Sequence, residues 1–450
     1  MRRIRLSRLV AAPFAWMAQR RWLWWIHTFL RSSLPVRALA TMRSTMPKGL
    51  RFERSEAWHL IVENVSENSK SYRSQSSVGP GVNVLGYLRG EFGLAESARM
   101  YARALIEGGY KVALNNIDLD LPHSWNDRSL DPWISESSPY PNSIVFINPD
   151  FFELALKKIG SERSVGHRLI ACWFWELETI PEQWHAVIEQ VDEIMVASTF
   201  VEEAFRRSTD KPILRVPLPV CPMSTSSLER KDFGLEAGKF TFLCMFDFHS
   251  SIERKNPFAV IEAFRTAFPP HRTDVSLLIK TSNGQSAVHQ LKRLLKAASA
   301  DSRILVRDDV IPKAHVQALL RCCDAYVSLH RAEGFGLGMA EAMALGKPVI
   351  ATGWSGNMDF MDAENSIPVQ YRLIPIPPGD YPFSEGARWA DADVEAAAAA
   401  MAKVVEEPGF ANRLGKSAAE SIRENLSPSR VAEEIHHWLS RPRASGIGIQ

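Results

Sequence analysis

Arg331-Ala-Glu333-Gly334-Phe335-Gly336-Leu337-Gly338-Met-Ala-Glu341-Ala-Met-Ala-Leu-Gly346-Lys-Pro348-Val-Ile-Ala351 sets three closely spaced glycines between two glutamates. Before it, Ala325-Tyr-Val-Ser-Leu329 is an apolar run with strand character. After it, Met339 to Leu345 has helix-forming composition, so the glycines fall on a strand-to-helix turn. The first N–H groups of a helix lack intrahelical partners and carry partial positive charge. Gly336, Leu337 and Gly338 therefore suit an anion, and glycine lets it approach closely.

Glu333 lies just before that helix and Glu341 lies inside it. At the rise of an α-helix the two carboxylates stand roughly 10 Å apart, a separation that lets one reach hydroxyls of a sugar and the other hydroxyls of a ribose. Two hydroxyl readers flanking a phosphate cradle fit a sugar nucleotide better than a dinucleotide. From spacing alone, a glycine-rich turn followed by a helix with ordinary surface glutamates stays open.

The pattern Glu333, seven residues, Glu341, with Gly-Phe-Gly between and Ala-Leu-Gly-Lys-Pro-Val-Ile-Ala behind, resembles the donor-site motif of retaining GT-B glycosyltransferases of the family-four type, the glycosyl transferases group 1. The resemblance runs from about Val82 to about Leu439. It implies an α/β chain of two Rossmann-like domains facing across a cleft, with the donor bound mainly by the second. By motif position it gives Glu333 the donor sugar, the amides of Gly334, Phe335, Gly336 and Leu337 the diphosphate, and Glu341 the ribose; Gly338 joins the cradle through its place at the helix start.

With 450 residues, 46% hydrophobic and 23% charged, the chain is long enough for two or three domains, and its net charge of +2 marks no nucleic-acid specialist. The charge is uneven. Arg2, Arg3, Arg5 and Arg8 begin a run of Arg and Lys that faces only Glu53 before residue 55. Leu9 to Gln19 is apolar, Arg20-Arg21 interrupts, and Trp22-Leu-Trp24-Trp25-Ile26 resumes. A spanning helix needs about 20 largely uncharged residues, so residues 1–54 suit peripheral contact with an anionic membrane surface, from the cytoplasmic side. A helix packed on the catalytic domain and a presequence are the competing assignments of this arm. The five cysteines, Cys172, Cys221, Cys244, Cys322 and Cys323, lack metal-ligand spacing and read as buried thiols of a reducing compartment.

The basic arm and a polar linker occupy 1–79. A first domain over 80–225 opens with the strand Val82-Asn-Val-Leu85, a glycine loop through Gly90 and Gly93, a helix from Leu94 to Glu107, and the strand Val112-Ala-Leu114, a βαβ start that implies a parallel sheet. The glycine spacing misses the dinucleotide fingerprint. In the resemblance this loop approaches donor phosphate and acceptor, which gives Gly90 and Gly93 their place among the site residues. Strands at Ser143 to Ile147 and Leu169 to Phe174 follow, the latter ending in the aromatic and acidic loop Trp175-Glu176-Leu-Glu178. Members of the resembled family carry a histidine near here on the acceptor side. Glu176 stands in its place as a candidate functional carboxylate, while Trp173, Trp175 and Trp184 divide between sugar stacking and core packing.

A second Rossmann-like domain spans 236–425, opening with the strand Phe240 to Phe246 and a helix from Pro257 to Phe268. Between them Arg254 and Lys255, adjacent cations at a helix start, can neutralise a diphosphate, and the resemblance places a phosphate-binding lysine at Lys255. Lys280 at the end of the strand from Leu277 and His330 and Arg331 beside Glu333 are further donor-side candidates. Residues 426–450 hold a closing helix after Ser427-Pro428 that the resemblance expects to cross back to the first domain.

The resemblance thus implies a hexosyl-type glycosyltransferase that retains the donor's anomeric configuration, acts on a glycan or lipid-linked glycan in cell-surface polysaccharide assembly, and takes the nucleotide sugar as substrate with no cofactor. Asp118-Leu-Asp120 and Asp391-Ala-Asp393 match the letters of metal-dependent transferases but adjoin no phosphate cradle, so leaving-group charge falls to Arg254, Lys255 and the helix start, with no metal. Two other functions compete: a catalytically inactive GT-B binding or scaffold protein, and a sugar-nucleotide epimerase of the same fold.

Overall fold

A computed structural model describes residues 81–121, 123–160, 166–221 and 226–441. The basic arm and its membrane contact, expected from residues 1–54, lie outside the described residues.

Short apolar strands alternate with amphipathic helices, and the strands read as continuous Val, Ile and Leu runs because helices cover both faces of each sheet. The first domain contains β1 (Gly81–Gly86), α1 (Gly93–Glu107), β2 (Lys111–Asn116), β3 (Asn142–Phe146), α2 (Pro149–Ile159), β4 (Arg168–Cys172), α3 (His185–Ile188), β5 (Glu193–Val196), α4 (Thr199–Arg206) and β6 (Ile213–Arg215). Its strands pair in parallel in the order β2-β1-β3-β4-β5-β6. The second domain contains β7 (Phe240–Asp247), α5 (Ile252–Lys255), α6 (Pro257–Ala267), β8 (Val275–Ser282), α7 (Val288–Ala298), β9 (Ile304–Asp308), α8 (Lys313–Cys322), β10 (Ala325–Ser328), α9 (Leu337–Ala344), β11 (Val349–Thr352) and β12 (Ile367–Val369). Its order is β12-β11-β10-β7-β8-β9.

Each order reverses at one place, between β1 and β3 in the first sheet and between β7 and β10 in the second. A parallel open sheet leaves a crevice there, beyond the carboxyl ends of its strands, and that is where such folds hold ligands. The glycine loop follows β1, Arg254 and Lys255 follow β7, and Glu333 follows β10. Chain order alone therefore delivers all three segments to crevices.

The remaining elements join the halves. The antiparallel hairpin of β13 (Tyr371–Pro375) and β14 (Arg388–Ala392) belongs to the second domain by chain order, yet Ile376, Ala387 and Trp389 pack with Tyr87, Trp173 and Trp175 of the first. After α10 (Val394–Glu406) and α11 (Pro408–Asn425), the closing helix α12 (Pro428–Leu439) lies on the first domain. There Arg168 pairs with Glu193 at 2.7 Å, donates to the carbonyls of Trp438 and Arg441, and Trp438 Nε1 donates to Glu193 at 2.5 Å. A buried ion pair needs its remaining polar atoms satisfied; the end of α12 supplies those partners. Two expectations about the interior change. Trp173 and Trp184 are fully buried, so they pack the core and stack on no sugar, and of the cysteines Cys221 is exposed while Cys172, Cys244 and Cys323 are buried.

Candidate functional site

Glu333 is the centre of an ion cluster. The chain leaves β10, turns through His330 to Gly336 and enters α9. Gly336, at φ +100°, is the left-handed residue that ends the loop, and a Cβ there would meet Met339 Cε at 2.5 Å and Asn357 Cβ at 3.1 Å. Past this turn Met339 and Ala340 donate back to the Gly336 carbonyl. Among the described residues no protein group accepts from the amides of Leu337 and Gly338. They are the open helix start that the sequence calls for.

The loop before it holds the two cations. Lys255 Nζ pairs with Glu333 Oε1, and Arg254 reaches Glu333 Oε2 at 3.4 Å and the Ala332 carbonyl at 2.7 Å. Burial by itself raises the Glu333 carboxyl, but Lys255 and Arg254 outweigh it and hold the group down at about 2. It is an anion at any working pH. Arg254 is only 3% exposed; burial opposes its charge, and Glu176 and Glu333 more than restore it.

Glu176 comes from the other domain. Its Oε1 lies 3.5 Å from Arg254, and its Oε2 accepts from the Tyr381 hydroxyl at 2.7 Å. Arg254 thus sits between carboxylates of opposite domains, with its Nε making no hydrogen bond. Tyr381, between β13 and β14, carries no motif; only its place between two strands in a polar, proline-rich run could have drawn notice.

The domains also meet around Gly334 and Asp359. Ser198, the N-cap of α4, donates to the Gly334 carbonyl at 2.6 Å, and a Cβ on Gly334 would lie 2.9 Å from the Trp175 carbonyl oxygen. Asp359 accepts from Thr199 N at 2.8 Å and pairs with Arg215 at 3.2 Å.

Glu341, about one turn into α9, pairs with Lys313 of α8. Lys313 also faces Glu96 of α1 across the domain boundary at 3.7 Å, and Glu96 holds Arg99 at 2.7 Å. Arg99 in turn donates to the carbonyls of Leu88 and Gly90 at 3.0 and 2.5 Å. The glycine loop and Glu341 are therefore ends of one charged chain. Burial opposes the charge on Lys313, but Glu341 and Glu96 raise its pKa; Glu96 is lowered, since Lys313 and Arg99 overcome its own burial.

The other candidates are placed as follows. Phe335 is buried against Phe360, ring centroids 5.1 Å apart. His330 is fully buried, bonded to Ser328 Oγ, the Trp354 carbonyl and Asn357 Oδ1; burial lowers its pKa, so it is a neutral brace of the Glu333 loop. Arg331 donates to the Glu253 carbonyl at 2.7 Å and faces Asp391 at 3.7 Å, its guanidinium over the Trp389 ring. Lys280 is held by Asp309 at 2.9 Å and by the Thr281 carbonyl. Both cations are thus tied to protein groups and brace the strand ends. Gly90 is closely covered by the Phe92 ring, whereas nothing lies within 4 Å of a Cβ on Gly93. Asp391 is engaged by Arg331 and Arg372. Among the described residues no three His, Cys, Asp or Glu side chains are grouped to hold a metal.

The family described as Glycosyl transferases group 1 matches residues 229–421, the span that contains Arg254, Lys255, Glu333 and Glu341. Among solved structures, the chain is similar to sucrose-phosphate synthase from Thermosynechococcus elongatus, with 16% identity, a TM-score of 0.56, and coverage of 80% of this chain and 98% of that one. It is similar to Anabaena HepE in complex with UDP and glucose, with 15% identity, a TM-score of 0.57 and coverage of 80% and 99%. It is also similar to a mutant TarM of Staphylococcus aureus, with 13% identity, a TM-score of 0.51 and coverage of 70% of this chain but 58% of TarM, so the chain spans less than two thirds of that protein. Likeness at such identities shows the fold alone. No curated protein sequence matches the chain. Residues 229–421 thus match the glycosyl transferases group 1, in a chain whose two parallel-sheet domains have the GT-B fold.

Proposed function

We propose that the chain is a retaining glycosyltransferase that moves a hexose from a nucleotide-sugar donor to a glycan or lipid-linked glycan acceptor in cell-surface polysaccharide assembly. The observation that carries this reading is Glu333, held anionic by Lys255 and Arg254 at the open amide start of α9. A nucleoside diphosphate fits between those cations and those amides, with Glu333 turned to the sugar and Glu341 to the ribose. In the transfer the bond between the anomeric carbon and the phosphate oxygen breaks and one to the acceptor oxygen forms. The proton of the acceptor hydroxyl goes to the departing diphosphate. Preorganised cations and amides that stabilise the departing charge are worth most in a site shielded from water. Arg254, Lys255 and the helix start supply them without a call on a metal. UDP is bound by HepE and by TarM, which supports a uridine nucleotide as the first donor base to try.

Glu176 belongs to the acceptor side. It faces Arg254 from the first domain, so its carboxylate and the donor cations sit at one point of the cleft. That pairing also favours a second reading, a binding protein without turnover, because Glu176 stands where the resembled family has a histidine.

A thermal-stabilisation screen over sugar nucleotides, followed by an acceptor screen with the best one, separates the cases. A transferase releases the nucleoside diphosphate only when acceptor is present, an epimerase converts donor alone, and a binder is stabilised without turnover. No stabilisation by any sugar nucleotide sinks the proposal. Peripheral contact of residues 1–54 with the cytoplasmic membrane face is part of the same reading; sedimentation of the full chain with anionic but not neutral vesicles tests it.

A further inference from the structure

Arg254 begins with its charge already spent. Two carboxylates, Glu333 and Glu176, share it at 3.4 and 3.5 Å, both longer than a good charged hydrogen bond, and its Nε has no partner. A diphosphate entering beside Lys255 competes for the same guanidinium. If Arg254 turns to the diphosphate, Glu333 keeps Lys255, but Glu176 loses its cation. Glu176 is 23% exposed, and a partly buried carboxylate that loses its partner keeps part of its desolvation cost uncompensated. Donor binding at Arg254 is therefore favoured when another group holds Glu176.

Tyr381 does so. Its hydroxyl donates to Glu176 Oε2 at 2.7 Å, on the oxygen that Arg254 does not use. Its ring lies 5.8 Å from the Arg254 guanidinium, 6.1 Å from the Trp175 ring and 6.4 Å from the Trp389 ring. The segment that carries it is anchored as well, since Ser251 beside α5 donates to the Asp380 carbonyl at 3.0 Å. Burial and the neighbouring Glu176 push the Tyr381 phenol well above its ordinary value, so the hydroxyl remains a donor throughout the working pH range.

We propose that Tyr381 is a positioning residue for donor binding: it retains Glu176 so that Arg254 can turn from that carboxylate to the diphosphate of the donor. This inference rests on the nucleotide-sugar reading above. In its absence Glu176 has one partner left, holds Arg254 with both oxygens, and competes with the donor.

The test is calorimetric titration of the full chain with UDP, GDP and ADP, for wild type, Tyr381→Phe, Glu176→Gln and the double variant. Tyr381→Phe keeps the ring among Trp175 and Trp389 and is expected to weaken the preferred nucleotide about tenfold, the effect of one hydrogen bond to a charged group, with the melting temperature held. Glu176→Gln alone binds at least as tightly as wild type, because the uncharged amide does not compete for Arg254. The double variant regains the affinity lost by Tyr381→Phe, which a damaged fold would not do. Unchanged binding by Tyr381→Phe, or a loss that Glu176→Gln does not restore, overturns the role of Tyr381 while leaving the nucleotide-sugar reading intact. A wild-type chain that binds none of the three nucleotides overturns both.

Discussion

The two glycine loops at the sheet switch points have similar composition and opposite fates. After β1 the loop folds on itself: Gly90 N donates to the Tyr87 carbonyl, Glu91 N to Ser124, and Arg99 takes the Leu88 and Gly90 carbonyls. After β10 the loop ends at a left-handed Gly336, the first amides of α9 stay open, and Lys255 and Arg254 pair with Glu333 just before them. One loop uses its polar backbone to make a wall; the other leaves it for a ligand. What separates them is a long cation. Arg99, on the helix that the first loop enters, reaches back to its carbonyls, whereas α9 carries no such residue and the cations that pair with Glu333 come from α5.

The strongest way to break this contrast is at Glu333. Glu333→Gln removes the anion that pairs with Lys255 and Arg254 and that the proposed function turns to the donor sugar. Transfer is expected to fall by about 10²–10³, the usual range for deleting a preorganised polar contact; activity at the wild-type level would remove Glu333 from the donor site.

The same residue gives a pH signature. Its carboxyl lies at about 2 in the folded chain against an ordinary 4.5. A lowered folded value contributes stability that is fully present above the ordinary value and is lost as pH falls from about 4.5 toward 2. The amount is on the order of 3 kcal/mol. Denaturant titrations at neutral pH and near pH 3 should therefore show the gap between wild type and Glu333→Gln narrowing in acid. A gap that widens there would contradict the ion cluster.

A smaller effect is expected at the turn. Gly336→Ala places a Cβ at φ +100° against Met339 and Asn357 and should cost about 1–3 kcal/mol, read as a lower melting temperature and weaker nucleotide binding together. The smallest effect belongs to the other loop. Gly93 has open space around its Cβ position and no positive φ, so Gly93→Ala should change stability by less than about 0.5 kcal/mol. If both alanines behave alike, the claimed difference between the loops fails.

Legibility in the sequence followed the range of the interactions. The cradle at α9 was legible because strand, turn, glycine and helix lie within a few residues of one another, and their hydrogen-bond logic is local. Lys255 and Arg254 could be named as cations at a helix start, but not that both would close on Glu333, nearly eighty positions away. Lys280 and Arg331 read as donor-side cations by the same local rule, and their pairing with Asp309 and Asp391 was no more legible. Charge at a strand end says nothing about which carboxylate the neighbouring strand brings.

By itself the sequence determined the alternation of strands and helices, the parallel sheets that alternation entails, and the open amides after Gly336, because backbone hydrogen bonding and glycine's freedom act over one turn. Only the tertiary structure decided that Glu176 faces Arg254, that Tyr381 holds Glu176, and that Glu341 connects through Lys313, Glu96 and Arg99 to the far loop. Three of those contacts, Glu176 to Arg254, Tyr381 to Glu176 and Lys313 to Glu96, join groups from different domains. Their strength depends on burial and on the partners brought by folding, neither of which a local pattern of residues contains.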